Sequence, residues 1–149
     1  MDTLHEIGLL LGQFQKRLSA EQALRESEER FKAFMENSPV LAYIKNEEGR
    51  VVYVNEHGAK SFGLRPYEIL DHKLQDLLPA SIYGPVIEAE SKAWKGNRSV
   101  SELCHIIDGK GRDSYWMMFH FLLKAQSGKR FVGAISIDIT EQKRLEAEI

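Results

Sequence analysis

The sequence predicts an α+β domain, a five-stranded antiparallel sheet with helices on one face, flanked by a coiled-coil-type N-terminal helix and the start of a C-terminal helix. Apolar residues change from a spacing of three and four to a spacing of two after Pro39, and three further alternating segments are joined by short glycine-containing turns. The last residues return to helical spacing. A chain of 149 residues is long enough for one such domain with helical extensions.

The composition is that of an ordinary globular protein, with 43% hydrophobic and 28% charged residues. A formal net charge of -2 gives no general attraction to nucleic acid or anionic lipid. The single cysteine, Cys104, excludes an internal disulfide and a multi-cysteine zinc site. The apolar run from Ile7 to Gly12 is far shorter than the roughly 20 residues of a membrane span. We therefore expect a cytoplasmic chain with no nucleic-acid partner and no membrane contact of its own.

The N-terminal residues 1–26 carry the apolar seam of a two-stranded coiled coil. Its members follow a three, four, three, four spacing and predict a dimerisation helix: Leu4, Ile7, Leu11, Phe14 and Leu18. The alternative is an amphipathic helix packed on its own domain. The next seam positions, Glu21, Arg25 and Glu28, are charged, and Ser19 and Gln22 have the spacing of a capping box. Either one helix changes its contact face here, or two helices meet.

Two short β-branched segments follow Pro39, "VLAYIK" and "RVVYVN", and the turn "NEEG" between them predicts a β-hairpin. Asn55 has the chemistry of an N-cap for a short helix, "EHGAKSF", which Gly63 ends. Pro66 begins another helical turn.

A longer helix is expected after "LQDLLP". Pro85 fits its first position after Gly84, and Gly96 fits its end. The three strand candidates that follow are "SVSELCHII", "DSYWMMFHFLLK" and "KRFVGAISIDI". Turns at "DGKG" and "QSGK" join them, so successive strands are expected to pair antiparallel.

This order of elements, with the residues in it, resembles the PAS domain family. The resemblance rests on four stretches spread over Ser27–Thr140, namely "SEERFKAFMENSP", "GRVVYVNEHGAKSFG", "YEIL…LQDLLP" and "GAISIDITEQKRLEAEI". It implies a PAS domain at 27–140 and the start of a linker helix at 141–149, leading to an output domain such as a histidine kinase of a two-component system or a nucleotide cyclase. Thr140 has the chemistry of an N-cap for that helix, so Asp138 and Thr140 are the predicted signal-transfer residues.

In this family the ligand pocket lies between the concave face of the sheet and the helices. Alternation leaves open which face of the fourth strand is concave. By resemblance to the flavin-binding branch, Met117, Phe119 and Phe121 are expected inside and Trp116, Met118 and His120 outside. The remaining candidates for polar contact with a ligand are Tyr43, Tyr83, His105 and Ser136.

The resemblance also bears on cofactors. The cysteine of flavin photoreceptors is missing from "DHKLQDLLP", and the histidine of haem-binding members is missing from the long helix, "ASIYGPVIEAESKAW". Both observations argue against a covalent cysteinyl-flavin and against haem, and no metal site is expected. Noncovalent flavin and a small metabolite remain as alternatives.

Two rival functions are open besides a ligand-binding signal input domain. The first is a ligand-free PAS module that serves dimerisation or spacing. The second is a small enzyme on a similar cone-shaped fold, for which His105 and Asp138 are the acid-base candidates. No zinc-protease helix, phosphate loop or nucleophile elbow is complete in the sequence, so we expect no enzyme here.

Overall fold

The computed structural model describes residues 2–96, 98–107 and 110–148. The chain divides into two compact units, residues 1–37 and 38–149. The predicted turn at "DGKG" includes Asp108 and Gly109, which lie outside the described residues, as do Met1 and Ile149 at the ends of the predicted segments. Within the described residues, no helix combines the length and hydropathy needed to cross a membrane.

The first unit is one uninterrupted helix, α1 (Thr3–Asn37). Of the two interpretations left open at Ser19 and Gln22, the single helix is the one observed: Gln22 donates a hydrogen bond to Glu26 on the next turn, at 3.3 Å, instead of closing a capping box. The predicted boundary at residue 26 therefore lies inside α1, since no helix-breaking residue occurs before Ser38 and Pro39.

The second unit carries the sheet and the shorter helices. In chain order they are β1 (Leu41–Lys45), β2 (Val51–Val54), α2 (Glu56–Ser61), α3 (Pro66–Ile69), α4 (Leu74–Leu77), α5 (Ala80–Lys95), β3 (Val100–Ile107), β4 (Asp113–Lys124), β5 (Arg130–Asp138) and α6 (Thr140–Ala147).

The described strands form one five-stranded sheet in the order β2-β1-β5-β4-β3, and every neighbouring pair is antiparallel. This confirms the predicted fold class. The last strand, β5, lies at the centre of the sheet between β1 and β4. Helix α5 packs across β3 and β4 on one face, so that face of the sheet is covered.

The turn and the helix cap predicted near the start of the second unit are both observed. Gly49 adopts φ +83° at the end of the β1–β2 turn, a backbone region that glycine enters at little cost. Asn55 caps α2 through its Oδ1, which accepts from the Gly58 N–H at 2.8 Å and from the Ala42 N–H at 3.0 Å. Its amide also donates to the Val40 carbonyl at 2.7 Å. One buried side chain thus joins α2 to β1.

The start of α5 differs from the prediction. The helix begins at Ala80, after Pro79 in extended conformation, and Pro85 lies inside it instead of at its first position. The N–H groups of Ile82 and Tyr83 bond the Pro79 carbonyl, so a complete turn precedes Pro85. The early start matters because it brings Tyr83 and Glu90 onto the same helix.

The faces of β4 are the reverse of those inferred from the flavin-binding branch. Met118 and His120 are buried under α5, whereas Phe119 is 37% exposed on the outer face. The physical reason lies on β5: Phe121 covers Gly133, whose added Cβ would fall 2.5 Å from the Phe121 ring, and this pairing holds the odd-numbered set outside. The prediction that Met117, Phe119 and Phe121 point inward was wrong.

The junction between β5 and α6 also differs in detail. Thr140 is the first helical residue and not the N-cap, which is Ile139. Thr140 Oγ1 accepts from the Tyr115 N–H of β4 at 2.9 Å and donates to Asp138 Oδ1 at 2.5 Å. Asp138 Oδ1 also accepts from the Thr140 N–H at 2.9 Å. The hydroxyl thus binds the neighbouring strand, and the start of α6 is fixed to β4 as well as to β5.

Candidate functional site

A partly open cavity of about 180 Å³ lies between the covered face of the sheet and the helices. Most of its lining is apolar, with Leu41, Phe62, Ile82, Val86, Ile106, Trp116 and Met118, and its polar side chains are Tyr43, Ser61, Ser114 and Ser136. A wider surface groove of about 1020 Å³ lies beside α6, lined by charged groups of both signs such as Asp138 and Arg144. Largely apolar walls with a few polar groups make the smaller cavity the candidate ligand site.

Strand pairing explains which residues reach the cavity. Ser136 of β5 lies directly between Leu41 of β1 and Met118 of β4, and all three line the cavity. Ser114 is occupied, because its Oγ accepts from Trp116 Nε1 at 3.0 Å and donates to the Ile106 carbonyl at 3.3 Å. Among the described residues, Ser136 Oγ has no hydrogen-bond partner. It is therefore available to a bound molecule.

A buried polar cluster lies next to the cavity and shares Tyr43 with it. We call it the polar cluster and define it as Tyr43, Lys45, Tyr83, Glu90 and His120, each of them 6% exposed or less. Lys45 Nζ lies 2.7 Å from Glu90 Oε1 and 2.9 Å from Oε2, and it donates to the Tyr83 hydroxyl at 2.7 Å.

Two tyrosine hydroxyls complete the surroundings of the Glu90 carboxylate. Tyr43 donates to Glu90 Oε1 at 2.5 Å, and Tyr83 donates to Glu90 Oε2 at 3.1 Å. Hydrogen bonds from neutral donors and from a paired ammonium are what a buried carboxylate requires. The cluster is therefore a satisfied ion pair linking α5 to β1.

Simple periodicity brings these residues together. Tyr43 and Lys45 are two residues apart on β1 and share its inner face, whereas Tyr83 and Glu90 are seven apart on α5 and share one side of the helix. Ala134 pairs with both Tyr43 and His120, and its small side chain leaves room above the sheet for their rings.

Burial shifts the titration of the cluster. It raises the pKa of Tyr43 well above its usual value, and the nearby Glu90 carboxylate raises it further; Tyr83 is affected in the same way. Burial lowers the pKa of Lys45, an effect that Glu90 opposes. Burial also lowers the pKa of His120, which favours the neutral ring.

His120 is the exception to this satisfied network. Its Nε2 lies 3.5 Å from the Tyr43 hydroxyl, but among the described residues no partner is found for Nδ1. A buried polar atom without a partner is rare in folded proteins. It identifies His120 as the least satisfied group at this site.

The structure places the predicted site residues in two groups. Tyr43 and Ser136 line the cavity and Tyr83 joins the polar cluster beside it, so these three remain candidates. His105 lies on the outer face, where its ring stacks on Tyr115 at 4.5 Å between centroids and its Nε2 lies 2.9 Å from Asp113 Oδ1. With Met117, Phe119 and Phe121, it is outside the cavity.

Sequence reasoning missed Lys45, Glu90 and His120. A signal for Lys45 was present, because it occupies an inward position two residues from Tyr43 in a strand that is otherwise apolar. Glu90 follows Tyr83 by two helical turns, but that spacing carries meaning only once the helix is known to begin before Pro85.

The cavity is small compared with the usual site for a cofactor. Pockets for drug-sized ligands measure about 300–1,000 Å³, and a cavity of about 150 Å³ holds benzene. At about 180 Å³, the present cavity lies below the first range and close to the second volume. Within the described residues, no three His, Cys, Asp or Glu side chains lie close enough together to hold a metal ion.

The five-stranded antiparallel sheet with helices packed on one face defines a class of protein, the α+β domains. The family model described as PAS fold matches residues 35–144, and the chain belongs to this family.

Known proteins are similar over most of the chain. The methyl sulfide methyltransferase-associated sensor of Methanosarcina acetivorans is 27% identical over 132 residues, which cover 88% of this chain and 13% of that protein. The PAS domain of BvgS from Bordetella pertussis is 19% identical, with a TM-score of 0.63 over 86% of this chain and 96% of that one. A PAS domain from a two-component sensor histidine kinase is 18% identical, with a TM-score of 0.55 over 76% and 98%.

Proposed function

We propose that this chain is the signal-input domain of a larger signal-transduction protein and that it responds to a small molecule bound in the cavity. The observation that carries the proposal is the largely apolar cavity, whose wall includes the free hydroxyl of Ser136 on β5, the strand that leads into α6. Such a combination of apolar walls with a few polar groups is typical of small-molecule sites.

A short physical path connects the cavity to α6. Ser114 and Trp116 line the cavity on either side of Tyr115, whose N–H bonds Thr140 at the start of α6. Ser136 lies two residues before Asp138, which holds the Thr140 hydroxyl. A ligand that displaces β4 or β5 therefore changes the contacts of α6 directly, and the predicted signal-transfer role of Asp138 and Thr140 rests on this path.

The larger protein is part of the proposal. The chain spans 13% of the length of the sensor that it resembles, and one similar structure comes from a two-component sensor histidine kinase. We propose an output domain of the histidine kinase or cyclase type, in a cytoplasmic protein. The seam on α1 supports a homodimer, since Leu4, Ile7, Leu11, Phe14 and Leu18 are all at least 48% exposed in the single chain.

Native mass spectrometry of the purified chain tests this function. We expect a dimer that carries a defined extra mass of one small molecule per subunit. A bare dimer that takes up no added ligand would instead support the ligand-free dimerisation or spacer module, the second candidate, for which the small cavity volume is the favourable observation.

An enzymatic function has less support. His105 bonds Asp113 on the outer face, and Asp138 bonds Thr140, so the hydrogen bonds of the proposed acid-base pair go to other groups. We therefore propose a binding function and not a catalytic one.

A further inference from the structure

We propose that the cavity selects an uncharged, mainly apolar molecule of about one ring that carries a hydroxyl or N–H group, and that it excludes acids because Glu90 already pairs with the Lys45 ammonium. This inference rests on the proposed ligand-binding function and names the chemical class of the ligand. It follows from the hydrogen-bond donors and acceptors that the polar cluster leaves available to a ligand.

The first step concerns Lys45, the cation nearest to the cavity within the polar cluster. A lysine ammonium has three N–H donors. The Lys45 ammonium contacts Glu90 Oε1 at 2.7 Å, Glu90 Oε2 at 2.9 Å and the Tyr83 hydroxyl at 2.7 Å. The ammonium is therefore hydrogen-bonded to Glu90 and Tyr83 and its charge is neutralised by the Glu90 carboxylate, so it is not a free cation for the carboxylate of a ligand.

The second step concerns Tyr43, which belongs to both the polar cluster and the cavity wall. Its single hydroxyl proton is donated to Glu90 at 2.5 Å. What the Tyr43 oxygen offers to a bound molecule is a lone pair, which accepts an O–H or N–H group. The hydroxyl of Ser136 either donates or accepts, so it too can bond an O–H or N–H group of a ligand.

The third step concerns charge. Glu90 already neutralises the Lys45 ammonium, so the carboxylate of an acid in the cavity would find no unpaired cation in the polar cluster. Burying a charge without a counter-charge is costly. A neutral ligand avoids this cost.

Four single-ring probes separate these effects. Toluene and phenol differ only in a methyl or hydroxyl group, and benzamide and benzoate differ mainly in charge. Binding is followed at pH 7 by titration of the Trp116 indole N–H resonance, since Trp116 lines the cavity. We expect phenol to bind about fivefold or more tightly than toluene, and benzamide at least about tenfold more tightly than benzoate.

Two variants and a matched control assign these preferences to residues. Glu90→Gln should narrow the difference in affinity between benzamide and benzoate by about tenfold, because it leaves the Lys45 ammonium free to pair with the benzoate carboxylate. The control is Glu88→Gln, the same change at an exposed position of α5, and it should leave the difference as it is. Tyr43→Phe should lower the affinity for phenol toward that for toluene. A thermal melt of each variant establishes that it is folded.

The outcomes are distinct. Benzoate binding as tightly as benzamide to the unmodified chain overturns the inference on ligand class, even if neither variant folds, and leaves ligand binding itself intact. Equal binding of phenol and toluene overturns the part assigned to Tyr43 and Ser136. If none of the four probes shifts the Trp116 resonance at millimolar concentration, the cavity is closed core, and the proposed ligand-binding function fails as well.

Discussion

At the scale of single residues, Lys45 is the group whose burial most requires compensating contacts. A lysine that is 1% exposed has lost its hydration, and three close oxygen contacts replace it. Removal of one partner from a buried ion pair leaves an uncompensated charge, which costs more than the intact pair contributes. Lys45 and Glu90 should therefore behave as one unit in mutational experiments.

Replacement of Lys45 by methionine tests this coupling. Lys45→Met should lower the free energy of unfolding by about 3 kcal/mol, because Glu90 is then buried without its cation. Lys60→Met, a change at an exposed position of α2, should lie within about 0.5 kcal/mol of the unmodified chain. Urea denaturation measures both. A loss below 1 kcal/mol for Lys45→Met would contradict the account of the pair.

The buried His120 should make the stability of the domain depend on pH. Burial lowers its pKa below the usual 6.5, so the unfolded chain binds a proton at a pH where the folded chain does not. Stability is then fully present above pH 6.5 and falls as the pH is lowered through that value. The Tyr43 hydroxyl lies 3.5 Å from the ring, and the charges that act on its pKa are those of Glu90, Lys45 and Glu102.

The corresponding measurement is urea denaturation at several pH values between 7.5 and 5. In His120→Gln, the slope of unfolding free energy against pH should flatten in this range, whereas the control His57→Gln, at an exposed histidine, should keep the slope of the unmodified chain. Identical slopes in all three proteins would show that His120 does not titrate differently on folding.

Part of the site could be predicted from residue patterns. Asn55 was recognisable because a cap needs its side-chain chemistry at that position. The inward face of β4 could not be recognised from the sequence. Both of its alternating sets of side chains are largely apolar, and the buried set contains the polar His120. Its burial depends on Ala134 and Tyr43 in neighbouring strands, which the sequence of β4 alone does not contain.

At the scale of elements, α1 presents the seam at Leu4, Ile7, Leu11, Phe14 and Leu18 over its first half and charged residues at the next three seam positions. A helix with exposed leucines at heptad spacing is stabilised by a second helix. The charged positions do not break the helix itself, because Glu and Arg have high helix propensity.

A charge in the seam should therefore weaken the proposed dimer. In Leu11→Glu, we expect the dimer dissociation constant to rise by at least about tenfold, because a carboxylate would be buried in an apolar interface. Gln13→Glu, two residues from Leu11 at an exposed position away from the seam, is the control. Sedimentation equilibrium measures both, and an unchanged constant for Leu11→Glu would place the interface elsewhere.

The β5–α6 junction makes a separate prediction. Thr140→Val keeps the shape of the side chain but removes the oxygen that accepts the Tyr115 N–H, so the exchange rate of that amide should rise about fivefold. Thr3→Val, at the exposed start of α1, is the matched control. Amide exchange by NMR decides the matter, and continued protection of Tyr115 in Thr140→Val would contradict the hydrogen bond.

At the scale of the whole molecule, the fold was accessible from the sequence because hydrophobic period, turn residues and the PAS resemblance agreed along most of the chain. The predicted boundary at residue 26 came from a change in seam composition, which a continuous helix tolerates. The polar cluster could not be predicted from the sequence, because it joins β1, β4 and α5, whose spatial proximity depends on tertiary structure. Long-range pairing determines such sites, and local patterns do not.

The central claim is that occupancy of the cavity reaches α6. Hydrogen exchange of the whole chain, with and without saturating phenol, tests it most directly. The account predicts slower exchange in α5 and β4 together with a changed rate at Tyr115 and in the first turn of α6. Protection confined to the cavity wall, with the Tyr115 and α6 amides unchanged, would contradict the claim that this domain passes its signal through that junction.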